Sequence, residues 1–447
     1  MSKYLKKFEL TSQYEEYINS DMAILPNVSL IKDINGIHYN PIHDYSQDYL
    51  TFVAKEDGTF KFIGKSINYS VDNGETWTTL PSNTDTPTIQ AGNKIMLKAT
   101  LTPTSSGIGK FSSTGKFTAQ GNVMSLLYGD DFIGQKGLTG KDYTFYNLFS
   151  SCIGLTNAKN ICLPATILIP YCYCYMFYGC SALTTAPKLP AIILADNCYR
   201  SMFYGCTSLI NAPELPATIL AEYCYDEMFR GCTALTNVPE LPATTLANNC
   251  YSYMFYNCTA LTTVPSVLPA TTLVDNCYES MFTGCTSLTN APELPTTTLA
   301  DYCYTNMFRG CTSLTDTPEL PATTLTSNCY SYMFQGCTSL TNAPELPATT
   351  LTSRCYYGMF QGCTLLTNTP ELLATTLTDN CYSYMFNGCY DLNYIKMLAT
   401  DISATNCLNG WVTNVSDTGT FVKHPNMTSL PTGSSGIPEY WTVQDVA

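Results

Sequence analysis

One frame, C-Y-x-x-M-F-x-G-C-[TS]-x-L, starts at Cys172, Cys198, Cys224, Cys250, Cys277, Cys303, Cys329, Cys355 and Cys381. Each start lies 26 residues after the last, except for one step of 27 at Cys277, and departures within the frame are small, such as Asn257 in place of the glycine. Residues 143–152 (YTFYNLFSSC) form half a unit, with Leu148-Phe149 in the place of Met-Phe and two extra residues before the next unit. A unit this short cannot bury its own apolar face, whereas stacked copies bury a shared one. The frame therefore predicts a solenoid over residues 136–400. At the spacing of parallel strands, its coils add up to a rod of ~45 Å.

Within each unit, L-T-x-x-P-E-L-P is short, extended and ended by proline, and it predicts one strand. In T-L-x-x-x-C-Y-x-x-M-F-x-G-C, cysteine, Met and Phe fall at i, i+4 and i+5, which predicts one short helix with the three on one side and Gly as its stop. One strand and one helix per coil is the leucine-rich repeat plan. The expected fold is α+β multidomain: a β-rich N-terminal part, the repeat solenoid and a C-terminal cap.

Residues 1–45 read as an anchoring segment, with a short helix capped by Thr11 and a hairpin around Asn35-Gly36. Residues 46–135 read as a β-sandwich-like domain, with turns at Asp57-Gly58 and Asn73-Gly74 and strand-like runs KIMLKATL, GKFSSTGKFTAQG and NVMSLLY. Gly107 to Lys110 (GIGK) is a turn and not a phosphate loop, because Thr104 and Phe111 stand where such a loop needs glycine and Ser or Thr. Residues 401–447 lose the MF-x-GC motif, and Trp411, Phe421 and Trp441 suit a cap over the exposed solenoid end.

The net charge of −14 and a pI of about 4.6 speak against nucleic acid as a partner. The sequence has no run of 18 apolar residues, which argues against membrane insertion. The first twenty residues lack the apolar core of a secretory leader. Neither HExxH nor GxSxG occurs, and the histidines are His38, His43 and His424. No enzyme and no cofactor are expected. A polysaccharide-degrading enzyme with carboxylates assembled from distant units is a minor alternative.

The 22 cysteines follow the repeat in two ladders, one of frame starts and one eight residues behind, with Cys162 and Cys174 left over. They read as buried thiols, as cross-coil disulfides or as metal ligands. The C-x7-C spacing and the missing histidines weigh against a metal. Glu214, Glu240, Glu293, Glu319, Glu345 and Glu371 recur in P-E-L-P or its variants and predict an acidic stripe, either solvated or open to calcium.

Met333, Phe334, Cys337 and Leu340 carry a specific resemblance, and the same four positions match in the other eight frames. The chain resembles the BspA-type leucine-rich repeats, with their A-F-x-x-C-x-x-L core, and still more the surface repeats with M-F-x-x-C-x-x-L. The resemblance implies adhesion to host or matrix proteins and carries over no catalytic residues. The opening FELTSQYEEYINSDMAILPNVSLIKDINGIHYNP resembles N-terminal segments of structural proteins of phages of gut Bacteroidales, including crAss-like phages. That implies a virion location, docking to other virion proteins through residues 1–45, and a homotrimer by analogy with phage fibres. A bacterial cell-surface adhesin is the alternative.

Comparing the frames with one another separates two kinds of position. Cys, Tyr, Met, Phe, Cys and Leu are constant, as a stacked core demands, and the frame tyrosines read as half-buried packing residues. The positions between are rich in Tyr, Ser, Arg and Asn, residues that binding surfaces favour. The candidate ligand-binding residues are Tyr204, Arg230, Tyr253, Tyr256, Arg309, Tyr332, Gln335, Tyr357 and Tyr384, for a host-surface protein or glycan. Plain surface drift between duplicated units is the competing reading.

Overall fold

The computed structural model describes residues 43–138 and 140–446. The expected anchor helix and its hairpin lie outside the described residues. The chain divides into Met1–Asp44 and Tyr45–Ala447, and the described helices and strands all belong to the second unit.

Strands β1 (Leu50–Ala54), β3 (Ile67–Ser70), β4 (Thr78–Leu80), β5 (Lys94–Lys98), β7 (Phe117–Asn122) and β8 (Leu155–Cys162) form one sheet in the order β4-β3-β5-β1-β7-β8. Strands β2 (Phe60–Ile63) and β6 (Lys110–Ser113) pair antiparallel in a second, two-stranded sheet. The expected turn at Asn73-Gly74 joins β3 to β4 with φ of 60° and 92°, conformations these residues tolerate. The chain around Asp57-Gly58 instead passes from one sheet to the other, and Gly58 pairs with Ile89. The turn lies at residues 104–107 and not at Gly107 to Lys110: the Gly107 N–H donates to the Thr104 carbonyl, and Lys110 already opens β6. The run NVMSLLY does not form the expected strand. Asn122 Oδ1 accepts the Met124 N–H at 3.0 Å and turns the chain, and Ser125–Tyr128 follow as a short helix, α1.

The β-rich part and the repeats share a core and a sheet. Phe52 is fully buried and packs on Phe60, Phe111, Phe117 and Phe149, the last of which belongs to the half unit. β8, the extended segment of that half unit, pairs parallel with β7. Later units keep only isolated parallel bridges there, such as Thr185↔Asn211 and Asn342↔Asn368. Proline removes a ladder donor and confines pairing. Residues 155–162 have no proline, and neither do residues 394–399, where β9 (Tyr394–Met397) reappears. The expected strand per coil survives where the sequence omits P-E-L-P. In the other units threonine hydroxyls add donors across coils, as from Thr315 and Thr367 to the carbonyls of Thr289 and Thr341, both at 3.3 Å.

Among the described residues of the repeats, the expected helix is absent. From Cys198 on, alternate backbone N–H groups close tight turns within the unit, as Met202 to the Tyr199 carbonyl. The N–H groups between them reach the next unit, as Tyr199 to Cys224 and Phe203 to Met228. Every fourth residue is left-handed: Asn197, Ser201 and Gly205 at φ 57°, 51° and 69°. A helix would satisfy these donors within one segment, whereas here half of them join neighbouring units. Cysteine, Met and Phe still face the core, which is why the same spacing suggested a helix. The glycine is thus no helix stop but a left-handed turn position, and Asn257 (φ 57°) fills it in one unit because asparagine tolerates that conformation.

Frame tyrosines Tyr173 to Tyr382 are at most 1% exposed, so they are core residues and not half-buried ones. Their rings stack unit on unit at 5.7 Å for Tyr225–Tyr251 and 5.8 Å for Tyr304–Tyr330, beside a phenylalanine ladder at 5.5 Å for Phe229–Phe255. The turn pattern continues past the last full motif. The N–H groups of Tyr382, Tyr384 and Phe386 donate to Cys407, Asn409 and Trp411. β10 (Thr420–Lys423) and β11 (Thr442–Asp445) then extend β9 in parallel.

Candidate functional site

Cys162 is partly exposed, and all the other cysteines, both ladders included, are buried thiols. In the second ladder, from Cys180 on, each thiol donates to the carbonyl of the Phe one unit back, for example Cys206 to Phe177 and Cys337 to Phe308, both at 3.1 Å. Burial pushes the Cys206 and Cys337 thiols well above the usual thiol range, which keeps them protonated and poorly nucleophilic. Among the described residues no group of three or more His, Cys, Asp or Glu could hold a metal ion. We expect iodoacetamide to modify the second-ladder cysteines only after unfolding. Peptide mass spectrometry checks this, and rapid native labelling of Cys337 would contradict the buried ladder.

The variable positions form three columns, the residues two, three and six after each frame cysteine; the first, which includes Tyr357, is mostly buried, and the other two carry the surface contacts. Four of the sequence-predicted residues converge. The Arg230 guanidinium lies 4.5 Å from the ring centre of Tyr256 and 5.6 Å from those of Tyr204 and Tyr253. The Glu227 carboxylate holds it in an ion pair at 2.7 Å. A second group lies further along. Arg309 is 5.9 Å from the Tyr332 ring, Tyr332 meets Tyr357 edge-on at 5.0 Å, and Tyr357 meets Tyr384 at 5.7 Å. Gln335 donates to Gln361 at 2.7 Å. The frame at Cys277 stands between the two groups, with Ser280 and Thr283 buried.

Part of this variation is packing between units and not drift. A Cβ on Gly358 would lie 2.5 Å from the Tyr332 ring, and one on Gly410 would lie 3.0 Å from Tyr384. Each of these tyrosines leans over the small residue at the same position of the next unit. Gly358 also sits at φ 58°, where a side chain adds strain. Gly358→Ala should therefore destabilise the chain by about 1–3 kcal/mol. A Tyr332→Ala background should recover part of that loss in urea melts, and equal losses in both backgrounds would exclude the clash.

Sequence reasoning missed a depression of about 480 Å³ at the start of the repeats, lined by Tyr146, Asn147, Ser150, Tyr175, Tyr178, Tyr204, Glu227 and Arg230. Tyr178 and Tyr204 stack at 4.8 Å, Tyr175 meets Tyr178 at 5.5 Å, and Tyr146 meets Tyr175 at 5.5 Å. Ser201, a small residue between Tyr175 and Glu227 in the same column, was the signal available in the sequence. Its hydroxyl donates to Glu227 at 3.0 Å.

Beside the depression lies an internal ion pair. Arg200 Nε is 2.9 Å from Asp226 Oδ2, without the alignment of a good hydrogen bond, and the Asp226 side chain is 6% exposed. Burial pushes the Asp226 carboxyl up to about 7, while Arg200 pulls it the other way. The P-E-L-P glutamates are all exposed. Lys188 and Ser266 interrupt the stripe, and Glu371 pairs with Lys396 at 2.7 Å.

The repeated part of the chain is thus similar to leucine-rich repeats, with turns where a helix was expected. Residues 196–341 and 302–407 match the family model of the BspA type leucine rich repeat region, in 6 copies. Among solved structures the chain is similar to a leucine-rich repeat protein from Bacteroides ovatus, at 19% identity over 56% of this chain and 80% of that one. The TM-score of that superposition is 0.18, too low to carry an argument about shape. No curated protein matches the chain.

Proposed function

We propose that this chain is a non-enzymatic adhesion protein whose repeats form a solenoid that presents one variable face to a host-cell surface. The observation that carries the reading is the contrast within each unit. The core positions are constant and buried, while Tyr, Arg, Glu and Gln at two surface columns are preorganised by ring and ion-pair contacts. Rigid aromatic anchors beside adaptable polar groups bind at low entropic cost. The match to BspA-type repeats supports the same class, because adhesion is what that resemblance implies.

Carriage on a phage particle, docked through residues 1–45 as a homotrimer, rests on the resemblance of the opening segment to phage structural proteins. Immunogold electron microscopy with an antibody to the repeats tests it, on a culture that makes this protein. Gold on phage heads or tails is the expected result. Gold on intact cell envelopes with bare particles would overturn the virion placement and make the chain a bacterial surface adhesin.

A further inference from the structure

We propose that the depression formed by residues 146–150, 175–178, 204 and 227–230 is a carbohydrate subsite that takes an uncharged pyranoside. The proposal rests on the adhesion reading and names the ligand class for one part of that face.

The lining carries the chemistry a sugar ring requires. A pyranose has apolar C–H faces and a rim of hydroxyls. Tyr178 and Tyr204 lie within 18° of parallel, as neighbouring plates, and Tyr175 stands against Tyr178 at 72°. With Tyr146 they line the depression with aromatic surface against which a C–H face can pack. All are half-buried, so little rotamer freedom remains to be lost on binding. Around them stand an amide (Asn147), a hydroxyl (Ser150), a carboxylate (Glu227) and a guanidinium (Arg230), which supply donors and acceptors for vicinal hydroxyls.

Charge decides against an acidic sugar. Arg230 is already paired with Glu227 at 2.7 Å and packed against Tyr256, so the depression has no cation to spare for a carboxylate or sulfate. The net charge of −14 on the chain repels polyanionic glycans further. Size agrees as well, since about 480 Å³ falls within the ~300–1,000 Å³ typical of small-ligand sites. The lining has no deep apolar hole for an aliphatic or aromatic peptide anchor, which makes a peptide the poorer occupant.

The test uses the full chain on immobilised, defined oligosaccharides ending in neutral hexose, N-acetylhexosamine or uronate, beside binding to intact candidate host cells. Three variants accompany it: Tyr204→Ala, Asn147→Gly and Tyr390→Ala. Asn147→Gly deletes the amide at a position of φ 61° that glycine accepts freely, so it leaves the fold in place. Tyr390 is 59% exposed and lies outside the variable positions, so Tyr390→Ala serves as the control. The expected result is binding to neutral termini that falls about tenfold or more in Tyr204→Ala and Asn147→Gly, with unchanged melting for Asn147→Gly and unchanged binding for Tyr390→Ala. Binding to uronate termini alone, binding that survives both groove variants, or no binding to any sugar would each overturn the subsite. The cell assay separates the two readings. Cells that bind wild type and both groove variants alike would remove the subsite and leave the adhesion reading standing. Failure of wild type to bind any candidate cell would count against the adhesion reading itself.

Discussion

Phe334→Ala should lower the unfolding free energy of the repeats by about 3–5 kcal/mol, the range for emptying a large aromatic site in a packed core. Phe334 is fully buried and lies 5.7 Å from both Phe308 and Phe360, with nearly parallel rings. Its removal opens a cavity and breaks the ladder on two sides at once. The backbone must also hold against that cavity, since the Phe334 carbonyl accepts the Cys363 thiol at 3.1 Å. In a repeat stack, stability is close to a sum of unit and nearest-neighbour interface energies. The variant weakens two successive interfaces, so units on either side should begin to unfold separately. Urea melts followed by circular dichroism should show both a lower midpoint and a shallower slope. A loss under about 1 kcal/mol with an unchanged slope would mean that the phenylalanine ladder does not bear on stability as its burial indicates.

The period, the stacked core and the residues that fill it are legible in the sequence, because each constant position repeats at one spacing. The local backbone was not, for a physical reason. Cys198, Met202 and Phe203 reach one side either from a helix or from a run of tight turns, so apolar spacing cannot separate the two. What separates them is the left-handed positions. Asn197, Asn249, Asn276, Asn328 and Asn380 stand just before the frame cysteine, and Gly or Asn stands eight residues later. Asparagine and glycine so placed mark positive φ, which a helix interior does not allow. The strands are scarcer than expected for a related reason, since L-T-x-x-P-E-L-P is extended but its prolines leave little to pair with. In the candidate site, Tyr204, Arg230, Tyr253 and Tyr256 were legible as surface residues of binding type. Their convergence on one guanidinium depends on the stacking of three units. Tyr332 over Gly358 and Tyr384 over Gly410 could have been read as large-to-small complementarity down one column. The partners of Asp226 could not, because its depth depends on the neighbouring units that cover it.

That depth gives the second large effect, one that pH controls. Asp226 is 4% exposed, and burial raises its carboxyl from the ordinary 3.8 to about 7, with Arg200 opposing the rise and Glu227 adding to it. Below about pH 4 the group is protonated folded or unfolded and costs nothing. Between about pH 4 and 7 the unfolded chain releases the proton while the folded chain keeps it, so stability falls as pH rises. Above about pH 7 the cost is complete, on the order of 4 kcal/mol at roughly 1.4 kcal/mol per pKa unit. Surface carboxylates such as Asp72, whose hydrogen bonds from Ser70 and Thr76 hold it down at about 2, act in the opposite direction at lower pH. They are common to wild type and variant and cancel in the difference. Asp226→Asn removes this one titration. Its stability relative to wild type should therefore climb by several kcal/mol from pH 4 to pH 8. Arg200 loses its ion-pair partner in the variant, and since arginine stays charged at every pH in this range, that loss shifts the whole curve without changing its slope. Urea melts of both proteins across that range measure the difference directly. Parallel curves would show that Asp226 ionises as freely in the folded chain as in water, and that the buried pair with Arg200 does not form as described.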